Sequence, residues 1–118
     1  YARSKACLNA FSFRLAKNLE ETGISVYAVS PGYFINTNAH RHMRGAYGLI
    51  VKIIRPFLQS ADKGALNHIV MASEEKYQNQ TGLYWEHGET KDASAFSYDP
   101  VFIDFVWKYA CAATKISE

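Results

Sequence analysis

Tyr1-Ala2-Arg3-Ser4-Lys5 at the head of the chain, and Ile24-Ser25-Val26-Tyr27-Ala28-Val29-Ser30-Pro31-Gly32 after it, decide the fold between them. From about Ser4 to Glu21 the pattern is helical. Leu8, Phe11, Leu15 and Leu19 recur at spacings of three and four, and Ala6, Ala10 and Phe13 make a second stripe. A helix apolar on two sides is buried on two sides. One side would cover a sheet; the other would meet a neighbouring helix, from this chain or from a second subunit. Gly23 is placed to supply a left-handed C-cap. Residues 24–30 then read as a strand with little alternation, which suits a parallel sheet covered on both faces. Pro31 ends the strand because it cannot donate to a ladder, and Gly32 lets the backbone turn sharply or approach a ligand. Helix, short loop and buried strand make half of a βαβ unit.

The Tyr1–Lys5 spacing carries chemistry. Residues four apart on a helix share a face, one turn above the other. A free phenol ionises only at a pH of roughly 10, too high for a base at neutrality. An ammonium one turn away favours the phenolate. Such a phenol can pass a proton to or from a carbinol oxygen while hydride moves at the same carbon, and the ammonium's three donors can hold a sugar hydroxyl. Tyr-x-x-x-Lys pairs are also common on ordinary helix surfaces. The long two-faced helix, the buried strand and the Pro31-Gly32 pair that follow single this one out.

Further along, residues 33–45 read as a loop rich in Asn, His, Arg and Gly, and a short helical segment spans roughly 47–58, broken near Pro56. Ser60 is a plausible N-cap for a helix running to about Ser73, with Leu66, Ile69, Val70 and Ser73 on one face. Residues 78–82 form a polar turn before a short strand, Leu83-Tyr84-Trp85. Asp99-Pro100 starts the last helix, Asp as N-cap and Pro at the first position. That helix carries Phe102, Phe105, Tyr109 and Ile116 as its apolar stripe.

Composition excludes several classes. At 118 residues the chain is one domain at most, and 48% hydrophobic with 20% charged residues argues against disorder. A net charge of +2, mixed along the chain, does not call for nucleic acid. Cys7 and Cys111 sit in helical patterns far apart and read as small buried apolar residues. His40 and His42 diverge, and His68 and His87 are isolated, so no metal site is expected. Asn79-Gln80-Thr81 matches a glycosylation sequon and reads as chance in a polar loop. No stretch approaches a membrane span.

The order Tyr1-Ala2-Arg3-Ser4-Lys5, Ser30-Pro31-Gly32, Lys63-Gly64-Ala65 and Gly82-Leu83-Tyr84-Trp85 resembles the C-terminal half of a short-chain dehydrogenase/reductase, most nearly the retinol-dehydrogenase-like subgroup. The resemblance implies an α/β fold: residues 1–118 would be the C-terminal portion of one NAD(P)-binding Rossmann-type, doubly wound parallel sheet, an incomplete fold that begins at the catalytic tyrosine. It implies Tyr1 as the proton-transfer residue, with Lys5 activating it and holding the nicotinamide ribose. Pro31 and Gly32 would pack near the nicotinamide, and the backbone of Phe34 would face its carboxamide. Residues from about 33 to 58 would form the substrate loop, suited to an apolar alcohol or carbonyl. The family usually has a threonine five residues after the proline. Here Asn36 stands there and Thr37 follows, and either could make that contact. The cofactor would be NAD or NADP; the glycine-rich turn and ribose-reading residue that distinguish them are not in residues 1–118. Ser4, on the tyrosine's own helix, is not the family's catalytic serine. The resemblance leaves the cellular location open; an intracellular place, in the cytoplasm or on the endoplasmic-reticulum membrane face, would be in keeping with it.

Two readings follow. The chain is part of an oxidoreductase passing hydride between a nicotinamide cofactor and an alcohol or carbonyl, such as a retinoid, steroid or lipid aldehyde. Alternatively it is a non-catalytic relative, an interaction or membrane-surface module working through the first helix and residues 44–58. The first reading carries three expectations: a first helix able to pair with a second copy, no activity from residues 1–118 alone, and an unpaired edge at Ile24–Ser30 that favours aggregation.

Overall fold

The computed structural model describes residues 1–32, Ile53 and residues 60–116. The expected substrate loop over 33–58 and the helical segment at 47–58 therefore lie outside the described residues, apart from the single helical, exposed Ile53. The described chain is α/β. It runs α1 (Ala2–Asn18), β1 (Tyr27–Ser30), α2 (Ala61–Ser73), β2 (Leu83–Glu86), β3 (Glu89–Lys91) and α3 (Pro100–Thr114), with single 3-10 turns at Glu75–Tyr77 and Ala95–Tyr98.

The three strands form one mixed sheet in the order β1-β2-β3. β1 and β2 are parallel, with Tyr27 opposite Leu83 and Ser30 opposite Glu86. This is the parallel pair that the unalternating strand predicts. β3 was not anticipated: it returns antiparallel to β2, pairing Trp85 with Thr90. The hairpin turn is His87-Gly88, at φ 54° and 79°. Two central residues with positive φ match the right-handed twist of the flanking strands. β1 has no second strand partner among the described residues.

Side chains alternate across the sheet. Tyr27, Val29 and Trp85 share one face and pack with Met71 and Val70 of α2 and with Tyr77. Tyr77 meets Trp85 edge-on, ring centroids 5.1 Å apart at 86°, and its backbone carbonyl accepts from the Tyr27 hydroxyl at 2.7 Å. Such an aromatic pair adds about 0.5–1.5 kcal/mol beyond its area burial. The opposite face carries Ala28, Ser30, Tyr84 and Glu86 and looks toward α1. The small Ala16 brings α1 close to the sheet: a Cβ placed on Gly82 would lie 3.3 Å from the Ala16 Cβ.

The second side of α1 is occupied by α3 of the same chain. Phe11 stacks on Trp107 at 5.2 Å, and Phe13 on Tyr98 at 5.0 Å. Between them the fully buried Ala10 lets the backbones approach. Ser97, also fully buried, donates to the Ala6 carbonyl at 3.4 Å.

Local signals set several boundaries. Ser60 caps α2 by accepting from the Lys63 amide. Asp99 caps α3 by accepting from the Val101 amide at 2.9 Å, with Pro100 next.

Other expectations need correction. α1 stops at Asn18, and Gly23 is not its cap. The Thr22 hydroxyl donates to the Leu19 carbonyl and accepts from the Ile24 amide, while Glu21 and Gly23 both take positive φ, so the chain leaves the helix about three residues early. β1 begins only at Tyr27, because the Val26 amide donates to the Thr81 hydroxyl instead of to a ladder. In α2 the buried residues are Gly64 and Met71, and Leu66 and Ile69 are exposed. In α3, Phe105 and Tyr109 are exposed and Val106 and Cys111 are buried, since α1 docks through the Trp107 side; Ile116, expected on the same stripe, lies past the helix end at Thr114 and is exposed. Among the described residues no helix is long and apolar enough to cross a membrane.

Candidate active site

A cleft of about 600 Å³ lies between the first three turns of α1 and the face of β1, and reaches the C-terminal ends of β1 and β2. In open α/β sheets ligands bind at the carboxyl ends of the parallel strands, and this volume is that of a small-molecule site. Tyr1, Lys5, Leu8, Asn9 and Ser12 come from one face of α1. Pro31 and Gly32 come from the end of β1. Tyr1, Lys5, Pro31 and Gly32, four of the residues singled out from the sequence, therefore line one cleft. Phe34, Asn36 and Thr37 lie outside the described residues.

The helix explains the Tyr1–Lys5 geometry. The Lys5 amide donates to the Tyr1 carbonyl at 3.0 Å, the first bond of α1. The Lys5 ammonium then sits 5.6 Å from the centre of the Tyr1 ring, within the range of a cation–π contact. Tyr1 is 95% exposed, so its phenol is open to whatever enters the cleft. Ser4 donates to the Tyr1 carbonyl at 2.7 Å; its hydroxyl braces the helix start. Leu8, expected in the core, is exposed on the cleft wall.

The opposite wall is a polar network that sequence reading missed. Ser30 and Glu86 are register partners on β1 and β2. The Ser30 hydroxyl donates to Glu86 Oε1 at 3.4 Å and accepts from the Gly32 amide at 3.2 Å. Lys91 donates to Glu86 Oε2 at 2.8 Å. That bond holds the Glu86 carboxyl below its ordinary value, against the opposing effect of burial. Gly32 has φ +92°, and a Cβ built there would overlap the His87 imidazole. His68 and Tyr84 also reach the cleft. The one signal in the sequence was Glu86 itself, an acid closing an otherwise apolar strand.

The residues present fit the nicotinamide-ribose end of a dinucleotide. Lys5 offers three donors at the mouth, and the positive-φ Gly32 gives a wall without a side chain. Among the described residues no three of His, Cys, Asp and Glu converge on a metal position.

The chain is similar to known proteins over most of its length. The chain is 28% identical over 108 residues to the WW domain-containing oxidoreductase of Drosophila melanogaster, covering 92% of this chain and 26% of that protein. It is 30% identical over 115 residues to the polyprenol dehydrogenase of Danio rerio, covering 95% and 35%. It is 26% identical over 113 residues to retinol dehydrogenase 12 of Mus musculus, covering 94% and 34%. The chain thus spans about a quarter to a third of the length of these relatives. No family model and no solved structure matches it. The relatives are oxidoreductases, and the chain belongs to the short-chain dehydrogenase/reductase family. Within that family it falls in the retinol-dehydrogenase-like subgroup.

Proposed function

We propose that residues 1–118 are the C-terminal part of one NAD(P)-binding Rossmann-fold domain, in an oxidoreductase that interconverts an apolar alcohol and its carbonyl. The observation that carries this reading is that Tyr1, Lys5, Pro31 and Gly32 line one cleft, which reaches the carboxyl end of the parallel pair. Two relatives named for apolar alcohols, retinol and polyprenol, support the substrate class, which extends to steroids and lipid aldehydes.

The bound NAD or NADP supplies the hydride acceptor or donor. Tyr1 takes the hydroxyl proton when the alcohol is oxidised and returns it to the carbonyl oxygen on reduction. Lys5 stabilises the phenolate and holds the ribose. Pro31 and Gly32 form the wall against the nicotinamide; Phe34, Asn36 and Thr37 are cofactor-binding residues by family resemblance. Residues from about 33 to 58 are assigned to the substrate by family resemblance. Peripheral contact with a membrane surface and a homodimer through the first helix belong to the same proposal.

The test is an assay of the intact protein with a panel of apolar alcohols and aldehydes, each with NAD(H) and NADP(H), followed by nicotinamide absorbance. Hydride transfer with one cofactor is expected, and Lys5→Met should weaken both cofactor binding and turnover. Tight cofactor binding with no hydride transfer to or from any substrate, in a protein whose Lys5→Met variant binds equally well, would overturn the reading.

A further inference from the structure

The Ser30–Glu86–Lys91 network touches the cleft wall and has no place in the Tyr1–Lys5 chemistry. Glu86 is 5% exposed, which is unusual for a carboxylate unless something pairs it. Here Lys91 holds one oxygen and Ser30 the other. A carboxylate can only accept hydrogen bonds, whereas a serine hydroxyl has a single proton to give. Glu86 therefore draws that proton toward β2 and leaves the Ser30 lone pairs facing the Gly32 amide, which donates to them at 3.2 Å. The direction of one hydroxyl is thus set by a buried charge, and that hydroxyl clamps the turn after β1.

The turn needs a clamp. Gly32 has φ +92°, and its α-carbon is backed closely by the His87 ring of the β2–β3 hairpin. Both ends of the arrangement belong to the same hairpin: Glu86 precedes His87, and Lys91 returns on β3. The hairpin therefore holds the Pro31-Gly32 wall by a hydrogen bond on one side and by packing on the other.

We infer that Glu86 is a positioning residue, which acts through Ser30 to hold the Pro31-Gly32 wall where the nicotinamide end of the cofactor is bound. The inference rests on the oxidoreductase reading for its ligand, but the clamp itself is a property of this chain. A carboxamide at position 86 has one oxygen where the carboxylate has two, so it cannot keep an acceptor at both the Oε2 position used by Lys91 and the Oε1 position used by Ser30. With that oxygen on Lys91, the amide nitrogen faces Ser30 and no longer draws its proton.

The experiment compares Glu86→Gln, Ser30→Ala, the double variant and Ser30→Thr in the intact protein. The probes are NADH and NADPH, titrated by fluorescence. Losing one such bond corresponds to about a five- to ten-fold loss of affinity. Each single variant is expected to show that loss, the double variant no more than either single, and Ser30→Thr, which keeps the hydroxyl, near-native binding. Unchanged affinity in both singles, or losses that multiply in the double, would overturn the inference; a merely structural role gives no such shared loss and no threonine rescue. The second readout is exchange of the Gly32 amide proton by NMR without cofactor, expected to be about five-fold faster in Glu86→Gln and in Ser30→Ala. If the wild type binds neither cofactor, the oxidoreductase reading fails, and faster Gly32 exchange still supports the clamp. Unchanged exchange overturns the clamp even if hydride transfer is intact.

Discussion

Gly32→Ala isolates the backbone requirement at the cleft wall. Two costs arise from the same added methyl group. The first is conformational: at φ +92° an L-residue is strained, a cost of about 1–3 kcal/mol. The second is steric: the new Cβ would overlap the His87 imidazole. His87 is exposed, so its ring can swing aside for about 0.5–1.5 kcal/mol of rotamer strain. The sum is roughly 2–4 kcal/mol, with the backbone as the larger part. Urea unfolding of the intact protein reads this as a lower midpoint at unchanged slope. Adding His87→Ala to Gly32→Ala removes only the steric part, so the double variant should recover less than half of the loss. Full recovery would show that crowding, not the positive φ, requires glycine here, and would refute the argument.

Three other perturbations have outcomes set by the fold. Asp99→Ala removes the acceptor for the Val101 amide and should cost about 1 kcal/mol in urea unfolding; Asp99→Asn should recover most of it. Trp85→Ala empties the centre of the Met71–Tyr77 cluster and should cost about 3–5 kcal/mol, with loss of near-UV circular dichroism. The Glu86 carboxyl is held low in the folded state, so its stabilisation is complete above the unfolded value and fades as pH falls through the lower folded value. Unfolding midpoints across acidic pH should therefore drop less steeply in Glu86→Gln than in the wild type.

The caps of α2 and α3 were legible because Ser60 and Asp99 act on amides two or three residues away. The parallel β1 was legible because burial on both faces removes alternation, as it does in residues 26–30. The cleft was legible in half: Tyr1 and Lys5 meet by helix geometry alone. The other wall was not, because Ser30 and Glu86 are 56 residues apart in the chain and meet only through strand register. β3 has no apolar pattern, since Glu89, Thr90 and Lys91 are all exposed, and only the two positive φ values of its turn create it. The faces of α2 and α3 were misread for a related reason. Both helices are apolar on more than one side, and what decides the buried side is the neighbour. For α3 that neighbour is Phe11 of α1 against Trp107.

We propose that Tyr1 moves the proton in a nicotinamide-dependent reaction at this cleft. Tyr1→Phe in the intact protein, assayed with its best alcohol and cofactor, tests it most directly. The phenyl ring keeps the contact with Lys5 and loses only the hydroxyl. A fall in turnover of about 10²–10⁴-fold, with the cofactor still bound, is the predicted result. Turnover within a few-fold of the wild type would contradict the account and place the chemistry elsewhere.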